Sequence, residues 1–208
     1  MRKSVSQFFF NTHNPLFTLM CVGLLLFSSS RLSFGIVIAV ALVWVYVLTA
    51  LSIFAARPLL PYEGKIIVVA FLSAFIMAIF LFVIWFISPL LTIELVYVIL
   101  LVPVSFLGRF PLEKMEPLNI SETVFETASE ACVTGSIIIA LSLIREPLGF
   151  MTLSLPGGAQ GFIELFNASD KTDFFPIRTL ATISGALLLL GYITALFHAI
   201  MKPSKRRV

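Results

Sequence analysis

The sequence predicts an all-α membrane protein: six transmembrane segments, arranged as two inverted three-helix repeats within one integral membrane domain. Three observations predict it. Apolar residues make up 59% of the 208 residues and charged residues only 12%, whereas soluble domains average roughly 45–50% and about 25%. The apolar residues gather into six largely uncharged runs, each closed by a polar, glycine or proline signal. Those runs follow the order short, long, long, and then short, long, long.

The first run spans Pro15 to Phe27 and is closed by Ser28–Ser33. The second, Phe34 to Ala56, stops at Arg57-Pro58, and the third, Ile66 to Ile87, stops at Ser88-Pro89. The fourth, Leu95 to Leu107, carries Pro103 and stops at Gly108-Arg109. The fifth, Ser121 to Ile144, stops at Arg145-Glu146-Pro147, and the sixth, Leu180 to Ile200, runs into the basic tail Lys202–Arg207. A helix needs roughly 20 residues to cross about 30 Å of hydrocarbon, and the first and fourth runs have only about 13 each. Short segments at matching places in two halves point to an inverted repeat with a site between the halves, because broken backbone survives at membrane depth only where protein or a cavity satisfies its amides. The halves are then residues 10–90 and 91–201, with a tail over 202–208. The simpler alternative is two short helices in a locally thinned bilayer.

Mean hydropathy of +1.06 leaves no room for a second, water-soluble domain. The net charge of +3 does not point to nucleic acid, because the basic residues sit at segment ends, where they set membrane orientation. With six crossings, one side holds ten of them: Arg2, Lys3, Arg57, Lys65, Arg109, Lys114, Lys202, Lys205, Arg206 and Arg207. The other side holds four, Arg31, Arg145, Lys171 and Arg178. The excess places both termini in the cytoplasm, and the multi-pass chain in a bacterial cytoplasmic (inner) membrane. The loop from Arg145 to Arg178 is then external, with a turn at Pro156-Gly157-Gly158 and an interfacial apolar stretch, Gly161–Phe166. Arg2 and Lys3 ahead of Leu16–Phe27 have the outline of a secretory signal. The polar Asn11–Pro15 run and the lack of a small-x-small site make an uncleaved segment the expectation.

Segment five carries most of the candidate chemistry. Glu122, Glu126 and Glu130 recur every four residues, on one helical face, beside Thr123 and Thr127. One reading is a cation or proton path, since ionisable groups in spans face cavities; the other is acids at the positive end of a helix that starts in the cytoplasm. Arg145 and Glu146 either pair at the interface or cap the helix. His13 and His198 lack a second ligand at metal spacing and are read as interfacial. Cys21 and Cys132 lie in apolar sequence, which excludes a secreted disulfide scaffold, and as lone membrane cysteines they read as small fillers. No nucleotide loop, nucleophile triad or thiolate cluster is present, so no self-contained active site is expected.

Several short motifs occur in a telling order. Gly108-Arg109 is followed by Glu113, Lys114 and Pro117; Ser142-Leu143-Ile144-Arg145-Glu146 is followed by Gly149; Thr172-Asp173 precedes Gly185-Ala186 and Gly191; and Asn11–Pro15 leads into the first segment. Over residues 10–207 the chain resembles the membrane subunits of the Rnf/Nqr family of ion-translocating electron-transport complexes, nearest the E-type subunit of Rnf and the D-type of Nqr. The resemblance implies pairing with a homologous membrane subunit of opposite topology, alongside a flavoprotein and an iron–sulfur protein, in the lipid bilayer. It implies electron transfer coupled to sodium or proton movement, with Glu126, Glu130, Arg145 and Glu146 as candidates for coupling or assembly. It also implies a [2Fe–2S] cluster shared with the sister subunit, since such a cluster takes four thiolates. The chain departs from that pattern. Its first site reads Leu19-Met20-Cys21-Val22, keeping Cys21 as a remnant ligand, while the second reads Val102-Pro103-Val104 where the family has Thr-Asn-Cys. The expectation is a divergent subunit that binds no cofactor by itself. The alternative is a stand-alone small transporter or channel, or a structural subunit without a redox role.

Overall fold

The computed structural model describes residues 23–24, 26–56, 64–109, 120–157, 161–167 and 178–201. Cys21, His13, the Asn11–Pro15 lead-in, the Glu113–Pro117 and Thr172-Asp173 motifs, and the basic tail lie outside the described residues. The elements are α1 (Leu32–Ala56), α2 (Lys65–Ile87), α3 (Pro89–Ile99), α4 (Leu101–Arg109), α5 (Ile120–Phe150), β1 (Thr152–Pro156), β2 (Phe162–Asn167), α6 (Arg178–Ala181) and α7 (Ile183–Met201). Ahead of α1, residues 26–28 are helical and residues 29–31 turn the chain.

Among the described residues, four helical stretches are long and apolar enough to cross a membrane: Leu32–Ala56, Lys65–Ile87, Pro89–Leu107 and Ile120–Phe150. α2 shows how such a helix is sorted. Val69, Ser73, Ile76, Met77, Phe80 and Ile84 are buried at helical spacing, while Phe71, Phe75, Phe82 and Phe86 are exposed on the opposite side. In water that aromatic face would be an aggregation surface; in hydrocarbon it is the solvated one.

The fourth segment differs from expectation. It starts at Pro89 rather than Leu95, and Pro89–Leu107 has 19 residues, enough to cross rather than end half way. Proline suits the first helical position because its missing amide is unpaired there anyway, and Ser88 in front of it is extended (φ −154°, ψ 98°). Glu94, within the added turns, is exposed on α3. The stretch is nevertheless interrupted at Leu100, between α3 and α4.

α1 packs along α5, and glycine sets how closely. A Cβ on Gly135 would lie 3.0 Å from the Cβ of Ala39, and one on Gly35 would lie 2.5 Å from Ser142 Oγ. The buried stripe of α5 runs through Thr123, Thr127, Ala131, Gly135, Ile138 and Ser142. Small residues of this kind let membrane helices approach backbone to backbone. On its other flank α1 meets α4, where Tyr46 and Ser105 share a buried hydroxyl contact of 3.1 Å and the Tyr46 and Phe106 rings pack edge to face at 5.3 Å.

The fold is not all-α. β1 and β2 form an antiparallel hairpin with a register shift between Leu153 and Ser154. The alternation in Leu153-Ser154-Leu155 and in Ile163-Glu164-Leu165 is the strand period, and Gly157 at φ 148° and Gly161 at φ 85° supply turn conformations that favour glycine. The stretch expected to lie at the interface is therefore a strand. The fifth helix is also longer than expected: it does not stop at Arg145 but continues through Pro147 to Phe150. Arg145 and Glu146 are thus interior residues of α5, not its end.

Candidate functional site: a buried arginine–glutamate junction

Arg145 and Glu146 are 3% and 0% exposed. They do not pair with each other. Each reaches a different set of helix ends, and each does so with the sign of charge those ends call for.

Arg145 uses all five of its N–H donors. Nε donates to Leu180 O at 2.8 Å. Nη1 donates to Leu26 O at 3.0 Å and to Ser29 Oγ at 3.0 Å. Nη2 donates to Ala181 O at 2.9 Å and Thr182 O at 3.0 Å. Leu26 belongs to the helical stretch that precedes the turn at residues 29–31; Leu180 and Ala181 end α6, while Thr182, the step into α7, also accepts the Ala186 amide at 3.2 Å. The last carbonyls of a helix have no partner inside it and carry partial negative charge. The planar guanidinium fork satisfies two such ends at once, which a lysine's three-donor ammonium cannot do.

Glu146 serves the opposite pole. Its Oε2 accepts the amide of Leu32, first residue of α1, at 2.7 Å. That is the work of an N-cap, done by a side chain 114 residues away. The next amide of that turn, Ser33 N–H, reaches Ser154 Oγ of β1 at 3.5 Å, and the Ser154 hydroxyl donates to Ser33 Oγ at 3.1 Å. Arg31 lies over the Phe162 ring at 4.3 Å, a cation–π contact that ties β2 to the same corner. Gly149 brings α5 against α6: a Cβ there would be 3.1 Å from Ala181 N.

One atom of the junction is left over. Glu146 Oε1 is buried and has no hydrogen-bond partner. An unsatisfied buried polar group costs about 1–3 kcal/mol, and more when charged.

The other candidates of α5 fall elsewhere. Glu122 and Glu126 are exposed on its outward face and Glu130 is half-buried, while Thr123 and Thr127 beside them are buried. Glu126 is 20 positions before Glu146, roughly 30 Å along a helix rising 1.5 Å per residue, so the acids and the junction occupy opposite ends. An open apolar groove lined by Phe54, Ile120, Val124 and Phe125 lies at the acidic end. Cys132 is exposed on α5 rather than a filler in the core. Val104, at the position of the expected second cluster cysteine, is 40% exposed on α4, and no group of three potential metal ligands occurs among the described residues. A valine side chain offers a cluster no ligand atom. What sequence reasoning missed is the set of partners: Leu26, Ser29, Leu32 and Ser154 carry no signal that foretells their meeting with α5.

No protein-family model matches the chain, and no curated protein matches it significantly.

Proposed function

We propose that this chain is a divergent membrane subunit of an Rnf/Nqr-like ion-translocating electron-transport complex. In this reading it supplies the membrane scaffold for coupled electron transfer and sodium or proton movement, in a bacterial inner membrane with both termini cytoplasmic. A sister membrane subunit, a flavoprotein and an iron–sulfur protein are its partners. The observation that supports the reading is where the most telling motif sits. Ser142-Leu143-Ile144-Arg145-Glu146 carries the resemblance, and Arg145 and Glu146 are the residues that hold three helix ends together around a buried, unpartnered carboxylate oxygen. A motif needed only to end a helix would lie at a helix end; this one lies inside α5.

The experiment is purification in mild detergent from cells that express the chain with its natural neighbours, followed by mass spectrometry and by iron and labile-sulfide analysis. Co-purification of a homologous membrane subunit with a flavoprotein is the expected result. A chain that never associates with either, yet moves ions in liposomes without an electron donor, overturns the reading in favour of a stand-alone transporter.

A further inference from the structure

Ser88 stands at the N-cap of α3 without capping it. A serine there ordinarily accepts an amide of the first turn through its hydroxyl, yet the Ser88 side chain makes no such bond. Its Oγ is buried with no hydrogen-bond partner. Over it lies Gly161, the residue that leads into β2. A Cβ on Gly161 would stand 3.3 Å from Ser88 Oγ, 3.2 Å from Leu91 N and 3.0 Å from Leu91 Cβ. The hairpin therefore rests on the first turn of α3.

The other seat of the hairpin is the first turn of α1. Ser154 of β1 is buried and meets the Ser33 amide at 3.5 Å and the Ser33 hydroxyl at 3.1 Å. Arg31 on the Phe162 ring, at 4.3 Å, is the third hold. The holds are a bare glycine, a serine pair and a cation–π contact, not an interlocked apolar face, and Ile163 and Leu165 of β2 are exposed. Elements held this way open at a lower free energy than the core. Two features raise the energy of the seated state further. The Ser88 hydroxyl is kept from both amide and water, which is costly for a buried polar group. Met151, the joint between α5 and β1, is held at φ 55°, a strained conformation for a residue with a side chain.

We propose that the hairpin is a lid: β1 and β2 lift together about Met151, off Ser33 and Ser88, while the helices beneath keep their packing. The closed state strands the Ser88 hydroxyl, and the open state lets water reach it. Glu146 holds the Leu32 amide, one residue from Ser33, so lifting β1 off Ser33 also opens a way toward that carboxylate. The motion belongs to this chain alone and does not depend on the partners proposed above.

The test follows maleimide labelling of single cysteines in the full chain, in mild detergent, with Cys21 and Cys132 replaced by alanine. Ser88→Cys reports from under the lid. Thr49→Cys reports from the core: Thr49 is another buried hydroxyl without a partner, but it lies roughly 24 Å along α1 from Ser33 at 1.5 Å per residue. Phe162→Ala removes the ring under Arg31. It is expected to speed labelling of Ser88→Cys by about threefold or more, the size of one cation–π contact, and to leave Thr49→Cys unchanged. Arg31→Ala, which breaks the same contact from the other side, is expected to give the same pattern. Labelling that Phe162→Ala leaves unchanged at Ser88→Cys, or speeds equally at both positions, overturns the lid; the hairpin is then a fixed cap that comes away only when the whole chain unfolds. If Ser88→Cys does not fold, hydrogen exchange decides. Phe162→Ala is then expected to speed exchange of the Ser33 amide, which Ser154 holds, and not of the α1 interior, and equal exchange with and without the ring overturns the lid.

Discussion

Glu146 Oε2 and the amide of Leu32 stand 2.7 Å apart although 114 residues separate them in sequence. The first turn of one membrane helix is therefore capped by the interior of another. Removing that side chain, in Glu146→Ala, is expected to lower stability by about 1–2 kcal/mol, the usual cost of losing a cap. Glu146→Gln is expected to lose much less, because the amide oxygen still accepts. Thermal unfolding in detergent, followed by far-ultraviolet circular dichroism, separates the two.

Arg145 is expected to tolerate no replacement. Arg145→Ala removes hydrogen bonds to four carbonyls and to Ser29 Oγ and is expected to cost about 3 kcal/mol or more, since each buried polar group left unsatisfied costs roughly 1–3 kcal/mol. Arg145→Lys keeps the charge but offers three donors where five are used, so it is expected to lie nearer to alanine than to the unaltered protein. Protease resistance in detergent measures the order.

The crossing of α1 and α5 predicts a coupled pair. Gly35→Ala places a Cβ 2.5 Å from Ser142 Oγ and is expected to destabilise by about 1–3 kcal/mol through overpacking. Ser142→Ala removes the atom that is struck. The double variant is expected to recover part of the loss, a coupling that a double-mutant cycle detects.

Met151 has φ 55° just past the end of α5, and its amide reaches Pro147 O at 3.1 Å. A left-handed residue at this place is usually glycine, and a side chain there costs roughly 1–2 kcal/mol. Met151→Gly is therefore expected to raise the thermal midpoint, a direction opposite to that of nearly every other change near the junction.

Orientation can be read from outside the cell. Both native cysteines replaced, Ile163→Cys on the exposed face of β2 is expected to react with an impermeant maleimide in intact cells. Ser121→Cys, at the start of α5, is expected to react only after the cells are opened. The reverse pattern inverts the proposed topology.

Most of the helices were legible because the membrane demands long apolar runs with marked ends. α2 begins at Lys65 and ends at Ile87, one residue from the sequence expectation, since Gly64 and Ser88-Pro89 punctuate it. The errors came where a local signal had two meanings. Arg145-Glu146-Pro147 looked like a stop and is the interior of α5. The alternation in 152–167 was visible but was read as loop, since each strand is only five or six residues and a membrane chain biases any apolar stretch toward helix or interface. Arg145 and Glu146 were picked out as candidates, but not what they do. Their partners are carbonyls and amides, which every residue carries, so nothing in the side chains around Leu26 or Leu32 announces the contact.

The span between Arg145 and Leu26 has a consequence for biogenesis. Leu26 O cannot gain its guanidinium donor when it leaves the ribosome, because Arg145 is 119 residues later. At about 5–20 residues per second, translation takes roughly 6–24 s to deliver it. Through that interval Leu26 O and the Leu32 amide lack the partners that α5 gives them. The junction therefore acts as a latch that closes late, once α5 has been made.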